Sequence, residues 1–345
     1  MINAIALVED GYHELGFWYP VLRLREAGTG VSVAGPEAGR TYMSTLGYPV
    51  IPELDLAAAA AAPPPDLLLV PGGAAGQRLE SRAEAKALRA SCETGDRSVL
   101  RTADPDDLPA RLATAAGITD EPHLAGARIL VLAESQYQEL ELWYPVLRFR
   151  GAGADVVVAS PARGALYASK IGYPVRSDAS VEEIDPDDID ALIIPGGFAP
   201  EGMRRSQPLL DLVRKTYENG TIVAAICHAG WVLASAGIAR GHRLTCVPII
   251  RDDLLSAGAD YTDAPVVRDG NLITSRLPND LPAFCAEIAG ALAGPPAAAG
   301  RGDGHSWPAA ANRVSTAAYS VAATLRMAPA EPANANYRAV SVPAG

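Results

Sequence analysis

The chain repeats itself. Phe17-Trp18-Tyr19-Pro20-Val21-Leu22-Arg23 returns as Leu142-Trp143-Tyr144-Pro145-Val146-Leu147-Arg148, 125 positions on. Residues 42–50 (YMSTLGYPV) return at the same spacing as 167–175 (YASKIGYPV). Pro71-Gly72-Gly73, with the apolar residues before it, returns 124 positions on as Pro195-Gly196-Gly197. Three blocks in one order at one spacing mean two fused copies of a single fold.

The copies are unequal. After Pro-Gly-Gly the second runs on about twice as far as the first, so residues 1–118 read as a truncated copy and 127–293 as a complete one. Residues 119–126, with Asp120, Glu121 and Pro122, read as a polar linker. From 294 to 345 the chain turns Ala/Pro-rich, which suits a flexible tail, with one short helix expected over 314–327.

Within the second copy, short apolar runs alternate with helical spacing. Strands are expected at 128–133, 155–159, 192–195 and 221–226, and helices at 140–150, 208–218 and 228–236. Alternating strands and helices give a mostly parallel sheet covered on both faces, a flavodoxin-like three-layer α/β sandwich. Sites in such sheets lie at the carboxyl ends of the strands, which points to Pro195-Gly196-Gly197 and to Cys227.

Cys227 falls where the apolar strand Val223-Ala224-Ala225-Ile226 breaks into a helix, with small neighbours Ala229 and Gly230. That is the pattern of a nucleophile elbow, and a helix N-terminus there is expected to lower the thiol pKa. A buried core cysteine beside a surface histidine gives the same eight residues.

The wider sequence resembles the ThiJ/PfpI (DJ-one) superfamily, and more closely its PfpI-like branch, almost without gaps over 127–293. The matching segments are Glu139-Leu140-Glu141-Leu142-Trp143-Tyr144-Pro145, Gly172-Tyr173-Pro174-Val175 and Pro195-Gly196-Gly197-Phe198-Ala199-Pro200-Glu201. Ala225-Ile226-Cys227-His228, Ile250-Arg251-Asp252-Asp253-Leu254 and Ser275-Arg276-Leu277-Pro278-Asn279-Asp280-Leu281 complete them. The resemblance implies a nucleophilic Cys227, an acid/base Glu141 and an assisting His228. It places Glu201 in a catalytic or interface role, and Gly196, Gly197 and Ala229 around an oxyanion or substrate pocket.

It further implies cofactor-free, metal-free chemistry on small reactive carbonyl compounds, of the glyoxalase or deglycase kind. A PfpI-like hydrolase or peptidase, a specialised-metabolism enzyme, and a non-enzymatic thiol redox sensor or chaperone are the alternatives. Cys92, Cys246 and Cys285 read as packed structural thiols.

The first copy lacks this chemistry. Gly16 stands in place of Glu141 and Gln77 in place of Glu201, and the elbow region reads Val99-Leu100-Arg101-Thr102-Ala103-Asp104-Pro105. It is expected to be a silent partner in an internal pseudo-dimer, with homo-oligomers also open. A net charge of −11 argues against nucleic-acid or anionic-membrane partners. The N-terminal segment reads as a strand rather than an export signal, so a reducing cytoplasm is expected.

Overall fold

The computed structural model describes residues 2–94, 97–119, 123–293 and 307–310. The chain divides between Thr119 and Asp120 into two compact units. The helix expected over 314–327 lies outside the described residues.

The first unit begins with β1 (Asn3–Leu7), α1 (Glu14–Glu26) and β2 (Gly30–Gly35). A hairpin of β3 (Tyr42–Met43) and β4 (Pro49–Val50) leads to β5 (Leu54–Asp55), α2 (Leu56–Ala61) and β6 (Leu67–Pro71). It closes with α3 (Gly73–Ser81), α4 (Ala83–Glu93), β7 (Ser98–Thr102) and α5 (Leu108–Ala116). Its sheet has the order β5-β2-β1-β6-β7, all parallel.

The second unit opens the same way with β8 (Arg128–Leu132), α6 (Glu139–Gly151), β9 (Asp155–Ser160) and a hairpin, β10 (Leu166–Ala168) and β11 (Pro174–Arg176). Then come β12 (Ala179–Ser180), β13 (Ala191–Ile194), α7 (Ala199–Met203), α8 (Gln207–Glu218) and β14 (Ile222–Ile226). Past that point it adds α9 (Gly230–Ala236), β15 (Arg243–Leu244), α10 (Arg251–Ser256) and β16 (Asp260–Tyr261), and then β17 (Val266–Asp269), β18 (Leu272–Ser275) and α11 (Leu281–Leu292). The sheet order is β12-β9-β8-β13-β14-β18-β17, with only β17 antiparallel.

The longer second copy is thus accounted for. The extra chain lays β18 along β14 and β17 beyond it, whereas β7, the counterpart of β14, ends its sheet among the described residues. Central strands such as Arg128–Leu132 and Ala191–Ile194 are apolar on both faces because helices cover both sides. Part of the expected linker belongs to the second unit. Leu124 is buried and its N–H donates to the Ala152 carbonyl at 2.8 Å, which also meets His123 Nδ1 at 2.8 Å.

The turn between β10 and β11 is a rigid platform. Ser169 Oγ accepts from the Tyr173 and Ile171 amides at 2.9 and 3.2 Å, and the buried Tyr137 hydroxyl donates to the Tyr173 carbonyl at 2.6 Å. Tyr137→Phe leaves that carbonyl with only the Ser169 N–H, at 2.8 Å, and removes the acceptor of the buried Trp143 Nε1–H at 3.2 Å. We expect it to cost about 1–3 kcal/mol in urea unfolding; an unchanged midpoint would show that water replaces the hydroxyl.

Candidate active site

Parallel register brings the site together. β13 pairs with β14 so that Ile194 lies beside Ala225, and two residues further Gly196 lies level with Cys227. A Cβ on Gly196 would stand 2.7 Å from the Cys227 Cβ and 2.7 Å from Glu141 Oε2, so only glycine permits this approach. Cys227 adopts φ of 63°, a left-handed conformation a non-glycine residue rarely takes. This strained turn lifts the thiol out of the sheet. It also delays the helix expected at 228–236. Cys227–Ala229 form a 3-10 turn first, and α9 begins at Gly230.

Glu141 comes from the first turn of α6 and is fully buried. Its Oε2 accepts the Gly196 N–H at 2.8 Å, and its own N–H donates to Gln138 Oε1, the helix cap, at 2.8 Å. Its carboxyl is also a hydrogen-bond partner of the Cys227 thiol. Burial is the main force on this carboxyl and pushes its pKa up to about 8, against opposing pulls from the Gly196 amide, Cys227 and Lys170. Glu141 is therefore protonated at neutral pH.

The thiol departs from the sequence expectation. Cys227 is 8% exposed, and burial first, then the Glu141 charge, hold its pKa well above the ordinary value. The Gly197 and His228 amides pull the other way without prevailing. Desolvation outweighs the short helix that follows, so the resting group is a thiol. His228 Nδ1 lies 3.3 Å from the sulfur. Burial, then Lys170, lowers the His228 pKa, so the ring is a neutral base positioned to take the thiol proton.

The other expected site residues divide. Gly197 approaches Gln136 and Gln138 so closely, at φ of 76°, that a side chain would meet their backbone atoms at 2.5 Å. Its amide and that of His228 face the sulfur. The Gly196 amide, expected in an oxyanion pocket, is instead engaged by Glu141. Ala229 is buried within the 3-10 turn. Glu201 lies apart on α7, its side chain 64% exposed and paired with Arg205 at 3.5 Å. Cys92 and Cys285 are buried in α4 and α11. Cys246 is buried in a loop rather than a strand, one residue before Val247, whose N–H reaches the Cys227 carbonyl at 3.4 Å.

Two contributors escaped the sequence reading. Gln138 caps α6 in a position where Ser, Thr, Asp or Asn is usual. Lys170 acts on both Glu141 and His228, and its one visible signal is that the repeat carries Thr45 there.

The first unit shows the same frame emptied. A Cβ on Gly72 would meet Ala103 at 2.7 Å, as one on Gly196 meets Cys227, so Ala103 occupies the place of Cys227. Gly16 replaces Glu141, and a Cβ there would stand 2.7 Å from the Thr102 carbonyl. The space for a carboxyl has closed.

A doubly covered parallel sheet with a strained cysteine elbow and a buried carboxyl partner defines a class of cysteine-centred α/β proteins. A model of the DJ-1/PfpI family matches residues 3–100 and again 127–291, and the chain belongs to that family. A deglycase of Pyrococcus abyssi is 44% identical over 161 residues, which cover 96% of that protein and 47% of this chain. Protein/nucleic acid deglycase 2 of Escherichia coli is 38% identical over 159 residues, 92% of its length and 46% of this chain. Among solved structures, Drosophila melanogaster DJ-1beta shares 34% identity with a TM-score of 0.47, over 49% of this chain and 91% of that one. The family match and the two deglycase relatives place the chain among DJ-1/PfpI family enzymes. Among the described residues no helix is long and apolar enough to cross a membrane.

The raised Glu141 pKa has a sign that can be measured. The folded value of about 8 lies above the ordinary value of 4.5, so the bound proton stabilises the fold fully below the latter. That contribution is lost as pH climbs through the former. Wild-type Tm should fall more steeply between about pH 5 and about pH 8 than that of Glu141→Gln, which has no proton to lose. Parallel profiles would mean an ordinary carboxyl at 141.

Proposed function

We propose that residues 127–293 catalyse the cofactor-free conversion of small 2-oxo aldehydes to 2-hydroxy acids, with methylglyoxal going to lactate. The observation that carries this reading is a buried, protonated Glu141 sharing one pocket with the Cys227 thiol and the neutral His228.

The sulfur attacks the aldehyde carbon while its proton passes to His228 Nδ1. The carbonyl π-electrons move to oxygen, which takes the Glu141 proton, and a hemithioacetal results. Glu141, now a carboxylate, removes the hydrogen from that carbon and returns it to the adjacent one through an enediol, leaving a thioester on Cys227. Glu141, a carboxylate again, takes a proton from the water that attacks the thioester, and His228 gives its proton to the departing sulfur, so the acid is released and all three groups are restored. Methylglyoxal plus water equals lactic acid, so no redox partner enters. The Gly197 and His228 amides suit the charge that develops at sulfur and oxygen.

A thiol only 8% exposed favours a small aldehyde over a peptide bond. Relatives named deglycases support a reading in which the thiol acts on small carbonyl-derived compounds. Cytoplasmic placement belongs to this reading too, since the chemistry requires a reduced thiol.

Purified wild type should turn methylglyoxal into lactate. Glu141→Gln should lose about 10²- to 10⁴-fold in kcat, and Cys227→Ser at least as much. Wild-type rates in either variant, or no lactate from wild type, would overturn the assignment.

We infer further that the first unit is a silent pseudo-subunit, since Gly16 and Ala103 leave it without carboxyl or thiol. Residues 120–293 expressed alone should aggregate or form homodimers. A stable, fully active monomer would show that the first unit is dispensable.

A further inference from the structure

Four side chains form a wall beside the elbow. Lys170 Nζ stands 4.9 Å over the centre of the Phe198 ring, Phe198 lies 6.1 Å from the His228 ring, and His228 meets Trp231 at 5.2 Å. Phe198 is 49% exposed, whereas Cys227, bonded to His228, is 8% exposed, so the wall runs from solvent to the thiol. The charge of Lys170 reaches both His228 and Glu141. The other charges on this wall are Arg204, 5.9 Å over Trp231, and Asp253, which accepts the Trp231 Nε1–H at 2.7 Å.

The silent unit is an internal control for what the wall is for. Its turn between β3 and β4 is built as in the second unit. Ser44 Oγ accepts the Tyr48 N–H at 2.7 Å, the Tyr12 hydroxyl donates to the Tyr48 carbonyl at 2.7 Å, and the Thr45 N–H reaches the Tyr12 carbonyl at 2.9 Å. The matching Lys170 N–H reaches the Tyr137 carbonyl at 3.0 Å. The turn therefore forms with threonine where the second unit has lysine. The repeat likewise puts Ala74 at the place of Phe198, Asp104 at that of His228 and Asp107 at that of Trp231. The whole wall is absent where the thiol and carboxyl are absent, while the frame persists. It serves the chemistry rather than the fold.

A cation at the mouth of a pocket whose inner groups are neutral attracts an anionic substrate and orients it. We propose that Lys170, held against Phe198, binds the carboxylate of an acidic 2-oxo aldehyde. The enzyme is thereby selective for 2-oxo aldehydes that carry a carboxylate at the end remote from the aldehyde. This rests on the reaction proposed above. A fitting probe is 4,5-dioxovalerate, in which two methylenes separate the dicarbonyl from the carboxylate. The same steps, with one water added, convert its aldehyde and ketone to the hydroxy acid of 2-hydroxyglutarate.

The test compares kcat/KM for 4,5-dioxovalerate and for methylglyoxal in wild type, Lys170→Met and Lys170→Arg. Wild type should prefer the acidic substrate, and Lys170→Met should cut the ratio of the two constants by about tenfold or more, mainly through KM. Lys170→Arg, which keeps the charge, should restore most of it. An unchanged ratio in Lys170→Met, or a wild type that prefers methylglyoxal, overturns the role of Lys170 and leaves the proposed reaction standing. No turnover of either compound overturns both.

Discussion

Glu141 and Cys227 share a space with no room for a third side chain, and the rest of the site is arranged around that fact. Gly196 makes the sharing possible, because a Cβ there would press on both partners at once. Closeness without water then fixes the protonation. Two negative charges cannot coexist in such a pocket, and burial alone disfavours even one. Glu141 keeps its proton up to about pH 8 and Cys227 keeps its own beyond that. The resting site is neutral, and the proposed reaction begins when a substrate supplies an oxygen for the Glu141 proton.

The repeat separates what builds the frame from what performs the chemistry. Both units use the same parallel register to set a glycine against the residue after the strand. Both build the same turn on a serine hydroxyl and a buried tyrosine. Only the second spends that frame on reactive groups. In the first, a Cβ on Gly16 would stand 2.7 Å from the Thr102 carbonyl, so the backbone itself leaves no room for a side chain there. His13 caps α1 where Gln138 caps α6, which preserves the helix start after its catalytic purpose has gone.

Much of this was legible in the sequence. The three repeated blocks pointed to two copies, and the alternation of apolar runs with helical spacing placed strands at 128–133, 155–159, 192–195 and 221–226, within a residue at each end of those observed. Gly196, Cys227, Glu141 and His228 could be named because the carboxyl ends of parallel strands and the family resemblance converge on them. The acidity of the thiol could not. A sequence shows that a helix follows, whereas the depth of burial and the 3-10 turn in between depend on packing across β13, β14 and α6. Which amide serves which acceptor was hidden for the same reason, since Gly196 gives its N–H to a carboxyl 55 positions away. Gln138 was overlooked because glutamine is an unusual cap. Glu201 showed the reverse limit, as its motif was clear but its side chain turns to solvent in this unit.

Desolvation acts on acids and bases in opposite senses, and here it acts on both within one pocket. It raises Glu141 and lowers His228, so a neutral acid and a neutral base coexist over a pH range that water would not allow. Lys170 works against burial at Glu141 and with it at His228. A cation near the mouth thus keeps the carboxyl from becoming too weak an acid while making the imidazole still easier to leave unprotonated. Without it, Glu141 would hold its proton more firmly and surrender it less readily to a substrate oxygen. The same charge that draws an anion toward the elbow also brings Glu141 closer to the range in which it gives and takes a proton at neutral pH, and keeps His228 unprotonated and ready to accept one.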